Sequence, residues 1–288
     1  MNSAAAEPLA RRLERAVATG EGLSLAFQPK IRVASGAVSG VEALSRWRDD
    51  RLGPVPPGAF VPVAEATGLI EALTERVLDS AFRQWADWSE QGLKLRMAVN
   101  VSALCLRDVE LPDRVQRMCM QAGMPCELLT VEVTETAAQN AVSLLDTLSR
   151  FRLKGIGVSL DDFGTGYSSL VQLRRLPFSE IKIDQCFVGD CARAPESRMI
   201  VKAVVDLAHA MGLSAIAEGV EDAATAALLR ELGCDELQGY LVSPPIRGAA
   251  LVDWLLHCGW GLEGREHDRA ASRPWPPAPA AQASEEAA

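Results

Sequence analysis

The sequence predicts an α/β fold, a closed βα barrel of the TIM type. Short apolar segments that end in polar residues alternate with segments of helix length, in which apolar residues recur every three or four positions, as in 69–91, 141–154 and 198–211. Alternation of strand and helix indicates a parallel sheet. Because the pattern repeats about eight times over roughly 250 residues, we expect a closed barrel with its functional residues at the C-terminal strand ends. Glycines close several of the helical segments, namely Gly92, Gly123, Gly155, Gly212 and Gly233.

The predicted barrel strands end in polar side chains. Since side chains alternate along a strand, Glu132 lies on the opposite face from Val131 and Val133, and it is expected to point into the barrel. Lys182 has the same position in the segment IKI. An isolated charge inside a barrel is costly, so these groups must meet one another, a metal ion or a substrate. The polar positions are Glu42, Asn100, Glu132, Asp161, Asp162, Lys182, Glu218 and Gln238.

Two adjacent carboxylates, Asp161 and Asp162, begin the segment DDFGTGYSSL at 161–170. Like charges this close raise each other's pKa, and a bound cation is the expected compensation. The three histidines do not fall at the predicted strand ends, which disfavours zinc. An oxygen-rich set of Glu, Asp and Asn instead suits Mg²⁺ or Mn²⁺.

Composition narrows the class of protein. The chain has 288 residues, is 48% hydrophobic and carries a net charge of −9, which suits one large domain and disfavours binding to duplex nucleic acid. It has no apolar run long enough to cross a bilayer and no signal-peptide core, so the expected location is cytoplasmic, without a membrane partner. Seven scattered cysteines without a CxxC motif indicate reduced thiols.

The two ends differ from the predicted barrel, which is assigned to residues 21–260. Residues 1–20 read as an amphipathic helical extension that either packs on the barrel or couples it to an unknown regulatory protein. Residues 261–288 are rich in Ala, Pro and Glu and are expected to be disordered.

An ordered set of motifs resembles the EAL-domain cyclic di-GMP phosphodiesterases. The tripeptide EAL is Glu42, Ala43 and Leu44, and the similarity covers nearly all of the globular part. The tripeptide alone carries little information, but the ordered set is highly specific. In chain order the motifs are FQP, EALSRW, NVS, VEVTET, DDFGTGYSSL, KID, AEGVE and QGYLVSPP.

The resemblance implies a modified TIM-like (β/α)8 barrel whose first strand, near 23–33, runs antiparallel to the others. It also implies a homodimer that hydrolyses cyclic di-GMP to linear pGpG with two Mg²⁺ or Mn²⁺ ions. Ca²⁺ is expected to inhibit, because it prefers longer bonds and more ligands than such a two-metal site accepts. The implied ligands of one ion are Glu42, Asn100, Glu132 and Asp161, and those of the other are Asp161, Asp162 and Glu218.

Other roles are implied in the same way. Lys182 would orient or activate the attacking water beside the catalytic Glu42 and Glu218. Glu135 would anchor the DDFGTGYSSL loop over the metals and near the dimer contact, and Glu221 would support the site. The implied substrate contacts are Gln28, Leu44, Arg46 and Gln238.

Taken one by one, the same residues have simpler interpretations. Asp161 or Asp162 could cap the next helix, and Lys182 could pair with Asp184. Glu218 with Glu221 could form an acidic first turn that complements a helix dipole. Glu132 and Glu135 could end a strand, Asn100 could stabilise a turn, and Arg46 could lie on the surface. Two other functions also use such a barrel. One is a catalytically weak cyclic di-GMP receptor or protein-interaction module, and the other is a Mg²⁺ enzyme with a lysine base acting on a carboxylate substrate.

Overall fold

The computed structural model describes residues 8–135, 141–165 and 170–262, and their centre is a closed barrel of eight strands. The tail prediction covers 261–288, and its residues from 263 onward lie outside the described residues. The same holds for the first seven residues, for 136–140 and for positions 166–169 of the DDFGTGYSSL loop. The barrel strands are β1 (Leu23–Arg32), β2 (Ala37–Asp49), β4 (Arg96–Asn100), β5 (Leu129–Thr134), β6 (Gly157–Phe163), β7 (Glu180–Ile183), β8 (Ser214–Ala217) and β9 (Glu236–Gln238).

The first strand closes the barrel. β1 pairs antiparallel with β2 on one side and with β9 on the other, whereas the strands from β2 to β9 around the barrel pair in parallel. The expected antiparallel first strand is therefore confirmed. Three short strands extend the sheet outside the barrel: β3 (Gly53–Val55), β10 (Ile246–Arg247) and β11 (Gly261–Leu262).

Helices surround the barrel in the described part of the chain. The segments expected at 69–91, 141–154 and 198–211 are the helices Ile70–Glu90, Ala141–Leu153 and Pro195–Ala210. Two 3₁₀ turns, Cys105–Arg107 and Cys126–Leu128, accompany them. The helices are α1 (Leu9–Thr19), α2 (Pro57–Thr67), α3 (Ile70–Glu90), α4 (Leu111–Gln121), α5 (Ala141–Leu153), α6 (Leu170–Arg175), α7 (Gln185–Val188), α8 (Pro195–Ala210), α9 (Ala223–Leu232) and α10 (Gly248–His257).

Local sequence explains several helix boundaries. Pro57 is the first residue of α2, where a missing N–H costs nothing, because the first N–H groups of a helix have no partner within it. The Asp222 carboxylate accepts a hydrogen bond from the Thr225 backbone N–H (2.8 Å) and caps α9. Gly233 ends that helix at φ 87°, a left-handed conformation that glycine adopts without a steric cost.

Aromatic side chains of α3 attach the helical layer to the barrel. Trp88 packs edge to face on Phe27 of β1, with ring centroids 4.7 Å apart. The indole N–H of Trp85 donates to the Leu95 carbonyl (2.9 Å) and that of Trp88 to the Gly248 carbonyl (3.0 Å). These two large side chains are therefore buried without leaving a donor unpaired.

The N-terminal helix α1 packs on α2 and α3 and contributes to the core. Its Arg12 is buried, and its guanidinium donates to both carboxylate oxygens of Asp49 at 2.9 and 3.1 Å. Asp49 also accepts the backbone N–H groups of Arg51 and Leu52, so the pair joins α1 to the turn that follows β2. These contacts agree with the interpretation of a helix that packs on the barrel.

At the other end, Gly261 and Leu262 pair in parallel with Ala37 and Val38 of β2. Regular secondary structure thus continues two residues past position 260, the expected end of the barrel domain. Among the helices of the described chain, none has both the length and the apolar character needed to cross a bilayer.

Replacing the buried arginine should loosen this attachment. We expect Arg12→Ala to lower the free energy of unfolding by about 2 kcal/mol, because it leaves the buried Asp49 carboxylate without its charged donor. Urea unfolding followed by circular dichroism measures the change. Arg11→Ala, at an exposed position on the same helix, is the matched control. Equal losses in the two variants would show that the ion pair adds nothing beyond helix propensity.

Candidate functional site

A cavity of about 1070 Å³ opens where the barrel strands end at their carboxyl termini. On one side its wall is apolar and comes from α2 and α3, including Val61, Ile70 and Leu73. Most of the residues expected at the site line the cavity. They are Gln28, Glu42, Leu44, Asn100, Glu132, Asp161, Asp162, Lys182, Glu218, Glu221 and Gln238.

The Lys182 ammonium lies at the centre of the site and is almost fully buried. Its Nζ is 2.7 Å from Glu218 Oε1, 3.0 Å from Asp161 Oδ1, 3.0 Å from Glu132 Oε2 and 3.4 Å from Glu42 Oε2. Burial alone would lower the pKa of Lys182, but these carboxylates raise it well above its usual value. The lysine is therefore a cation held by four carboxylates from different strands, and a pairing with Asp184 does not describe it.

Glu42 has a different partner for each carboxylate oxygen. Oε1 accepts from the Asn100 side-chain amide (2.6 Å), and Oε2 accepts from the Gln238 side-chain amide (2.7 Å). Burial opposes ionisation of Glu42, but Lys182, Lys30 and the Gln238 amide lower its pKa to about 2. Glu42 is thus a carboxylate across the whole neutral range, as a metal ligand must be.

Glu132 is bound by two lysines. Its Oε2 accepts from Lys182, and its Oε1 accepts from Lys30 at 2.9 Å. Burial and the nearby Glu42 charge raise the pKa of Glu132 to about 8, even though the two ammonium groups oppose the shift. Each carboxylate oxygen nevertheless accepts a hydrogen bond from an ammonium group, and this geometry stabilises the ionised form of Glu132.

Asp161 and Asp162 reach the same point because β6 is irregular there. In a regular strand, neighbouring side chains point to opposite faces. Here the register between β6 and β7 shifts after Leu160, and Asp162 has φ +56°, a strained conformation for a residue other than glycine. As a result, carboxylate oxygens of Asp161, Asp162 and Glu218 lie within 4.8 Å of one another.

The charges of this trio affect one another. Burial and the Asp161 carboxylate raise the pKa of Asp162 to about 6, and burial raises that of Glu218 to about 7 even though Lys182 opposes the shift. Carboxylates whose negative charges repel one another are stabilised when a divalent cation binds between them. The donor set therefore fits Mg²⁺ or Mn²⁺.

Glu135 contacts the loop that follows β6. It is buried, and its Oε2 accepts the backbone N–H of Gly164 at 2.8 Å. Gly164 has φ +104°, and a Cβ at this position would come within 2.6 Å of the Phe187 ring. This contact fixes the described start of the DDFGTGYSSL loop beside Asp161 and Asp162.

The residues expected to contact the substrate have different contacts in the structure. Gln28 and Gln238 are joined by a side-chain hydrogen bond (3.0 Å), and Gln28 also donates to the Ser243 carbonyl (3.2 Å). Leu44 lines the cavity, whereas the guanidinium of Arg46 donates to the carbonyl of Ser45 (3.0 Å). Glu221 is an exposed residue of the cavity wall.

The helix-end interpretations of the acidic residues are wrong. Asp161 and Asp162 lie within β6, well before α6 begins. Asp184 and Asp222 are the residues that cap α7 and α9. Glu218 precedes α9 and pairs with Lys182.

Sequence reasoning missed Lys30. This lysine lies two residues after Gln28 on β1, so strand alternation alone would have placed it inside the barrel. It also missed Tyr240, an exposed residue that lines the cavity.

The fold and the site define an α/β barrel with an antiparallel first strand and a cluster of oxygen donors at its open end. The chain belongs to the EAL domain family, whose model matches residues 10–245. Among curated proteins it is similar to cyclic di-GMP phosphodiesterase PA2567 of Pseudomonas aeruginosa, with 41% identity over 244 residues, 84% of this chain. It is also similar to the bifunctional diguanylate cyclase/cyclic di-GMP phosphodiesterase MucR of the same organism, with 42% identity over 80% of this chain.

The chain spans only 42% and 34% of the lengths of these two relatives. Among solved structures, the PaMucR phosphodiesterase in complex with c-di-GMP is 40% identical, with a TM-score of 0.79, 85% of this chain covered and 100% of that one. The FimX EAL domain from P. aeruginosa bound to c-di-GMP is 25% identical, with a TM-score of 0.74, 82% of this chain covered and 95% of that one.

Because carboxylates surround Lys182, the stability of a variant without this lysine should depend on divalent metal. We expect Lys182→Ala to lower the free energy of unfolding by about 3 kcal/mol in EDTA, because buried carboxylates lose their cation. Millimolar Mg²⁺ should recover most of this loss, since a ligand that binds only the folded state stabilises it. Thermal unfolding with and without Mg²⁺ measures both effects.

Lys202→Ala, on the surface of α8, is the matched control and should unfold like the unmodified protein in EDTA and in Mg²⁺. A Lys182→Ala protein that is equally destabilised in EDTA and in Mg²⁺ would contradict a cation site at these carboxylates.

Proposed function

We propose that this chain hydrolyses one phosphodiester bond of cyclic di-GMP and releases linear pGpG. The observation that carries the proposal is the cluster of Glu42, Glu132, Asp161 and Glu218 around Lys182 at the mouth of the barrel. Membership of the EAL domain family and the names of the similar proteins support the choice of substrate. The cavity of about 1070 Å³ suits a ligand as large as a dinucleotide.

The oxygen donors divide into two sets that share one aspartate. Bound Mg²⁺ or Mn²⁺ ions would supply water activation and neutralisation of phosphate charge. The proposed ligands of one ion are Glu42, Asn100, Glu132 and Asp161, and those of the other are Asp161, Asp162 and Glu218.

The protein's own groups would position the reactants. Lys182 would donate a hydrogen bond to the attacking water and hold its oxygen in line with the phosphorus atom. The water oxygen would form the new bond to phosphorus as the bond to the 3′ oxygen breaks, and the proton that the water loses would balance the proton that the leaving 3′ oxygen takes up. Arg46 would bind a phosphate oxygen with its guanidinium fork, after exchanging its contact with the Ser45 carbonyl. Gln28 and Gln238 would contact the nucleotide, and the apolar wall from α2 and α3 would pack against a base.

Hydrolysis should require a small divalent ion. With cyclic di-GMP and Mg²⁺ or Mn²⁺ we expect linear pGpG by chromatography, whereas EDTA or Ca²⁺ should abolish turnover, because Ca²⁺ prefers longer bonds and more ligands than this set supplies. Glu42→Ala should lower turnover by at least about 10²-fold, since it removes a ligand and a partner of Lys182.

Glu231→Ala, at an exposed position on α9, is the control and should keep full activity. Full turnover in metal-free protein would rule out the mechanism. Tight binding of cyclic di-GMP without turnover in any metal would instead identify a receptor.

The contact between Glu135 and the DDFGTGYSSL loop should support both metal binding and activity. Glu135→Ala removes the acceptor of the Gly164 N–H, so we expect up to about 10²-fold lower turnover and a higher Mg²⁺ requirement, because Asp161 and Asp162 lose their support. We also propose a homodimer with this loop near its contact, and self-association should weaken in the same variant. Activity against Mg²⁺ concentration and analytical ultracentrifugation measure the two effects.

Glu135→Gln keeps an acceptor oxygen and should retain most of the activity. Glu90→Ala, at the exposed end of α3, is the surface control. If Glu135→Ala left both metal dependence and association unchanged, the proposed loop role would be wrong, and the phosphodiesterase proposal would still stand on the metal test.

A further inference from the structure

Lys30 is a buried cation that the proposed mechanism does not use. It lies on β1, in register with Gly40 of β2 and Gln238 of β9, and 5% of its surface is exposed. Since Gly40 in turn pairs with Arg96 at the start of β4, Lys30 lies closer to the N-terminal end of the barrel than the cavity does. Its side chain thus approaches the site from inside the barrel.

The contact of Lys30 is with a proposed metal ligand. Its Nζ is 2.9 Å from Glu132 Oε1, and Lys182 Nζ is 3.0 Å from Glu132 Oε2. Lys182 has three further carboxylate partners, so it can give up Oε2 at little cost. If Lys30 gave up Oε1, its buried ammonium would lose the ion pair that stabilises its charge, which is strongly unfavourable.

We propose that Lys30 is a positioning residue that keeps Oε1 of Glu132 occupied, so that Glu132 offers a bound metal only Oε2. The inference rests on the proposed metal site but not on the identity of the substrate. A carboxylate restricted to one oxygen suits Mg²⁺ and Mn²⁺, which accept near-octahedral sets of single oxygens. Ca²⁺ takes six to eight oxygens and readily uses both oxygens of a carboxylate. Lys30 therefore makes the site selective against Ca²⁺.

The test is the metal preference of the protein itself. Metal-stripped full-length chain is titrated with Mg²⁺, Mn²⁺ and Ca²⁺ by isothermal titration calorimetry, without nucleotide. In Lys30→Met, Glu132 Oε1 becomes free, and we expect the ratio of the Ca²⁺ Kd to the Mg²⁺ Kd to fall by about tenfold, the lower end of what a group supporting a metal ligand contributes. Lys30→Gln removes the charge but keeps a polar end, and its ratio should fall in the same direction.

Glu180→Gln is the matched control. Glu180 is a buried carboxylate outside the proposed metal site whose charge also acts on Lys30, and its replacement changes the local charge by one unit while leaving the contact between Lys30 and Glu132 in place. Its Ca²⁺ to Mg²⁺ ratio should equal that of the unmodified protein. If Lys30 acted only through its charge, the Lys30 variants would change the Kd values of all three metals by similar factors. The ratio of the Ca²⁺ Kd to the Mg²⁺ Kd would then stay the same.

The outcomes separate this inference from the proposed function. An unchanged ratio in a folded Lys30 variant, or failure of both variants to fold by circular dichroism, overturns the positioning role, whatever the hydrolysis assay gives. A lower ratio in either variant supports it, even if the unmodified protein binds metals without cleaving cyclic di-GMP. If the unmodified protein binds none of the three metals, both proposals fail.

Discussion

The buried ammonium of Lys182 is the interaction on which the rest of the site depends. Glu42, Glu132, Asp161 and Glu218 come from or directly follow four different strands, and without a cation at their centre their charges would repel one another inside the barrel. The lysine stabilises this arrangement as the chain folds. The same four residues line the cavity, where the proposed metals and substrate would meet.

A second constraint is the irregular end of β6. A regular strand would have separated the two neighbouring aspartates onto opposite faces of the sheet. The register shift and the positive φ of Asp162 bring both toward Glu218, and the hydrogen bond from Gly164 to Glu135 holds the loop that follows. Backbone strain at this point is thus matched by contacts on both sides, as is typical of functional sites.

Charged residues also fill the opposite end of the barrel. Arg96 contacts Glu180 and Glu236 at 3.6 and 3.5 Å, and Arg32 contacts Glu236 at 3.3 Å. Lys30 lies between this network and the site, and its charge contributes to the low pKa of Glu42. The interior therefore has two polar layers, and the ionisation of the proposed metal ligands depends on a residue that does not line the cavity.

By itself the sequence determined the barrel, its helical layer and the inward direction of Glu132 and Lys182. These follow from periodicity, and the motif order adds the antiparallel first strand. Tertiary structure decided which polar groups share a partner. Strand alternation shows the face on which Lys30 lies, but not that it reaches Glu132, 102 positions along the chain. Nor does sequence spacing reveal the positive φ of Asp162, because a strained backbone conformation persists only where the surrounding tertiary structure holds it.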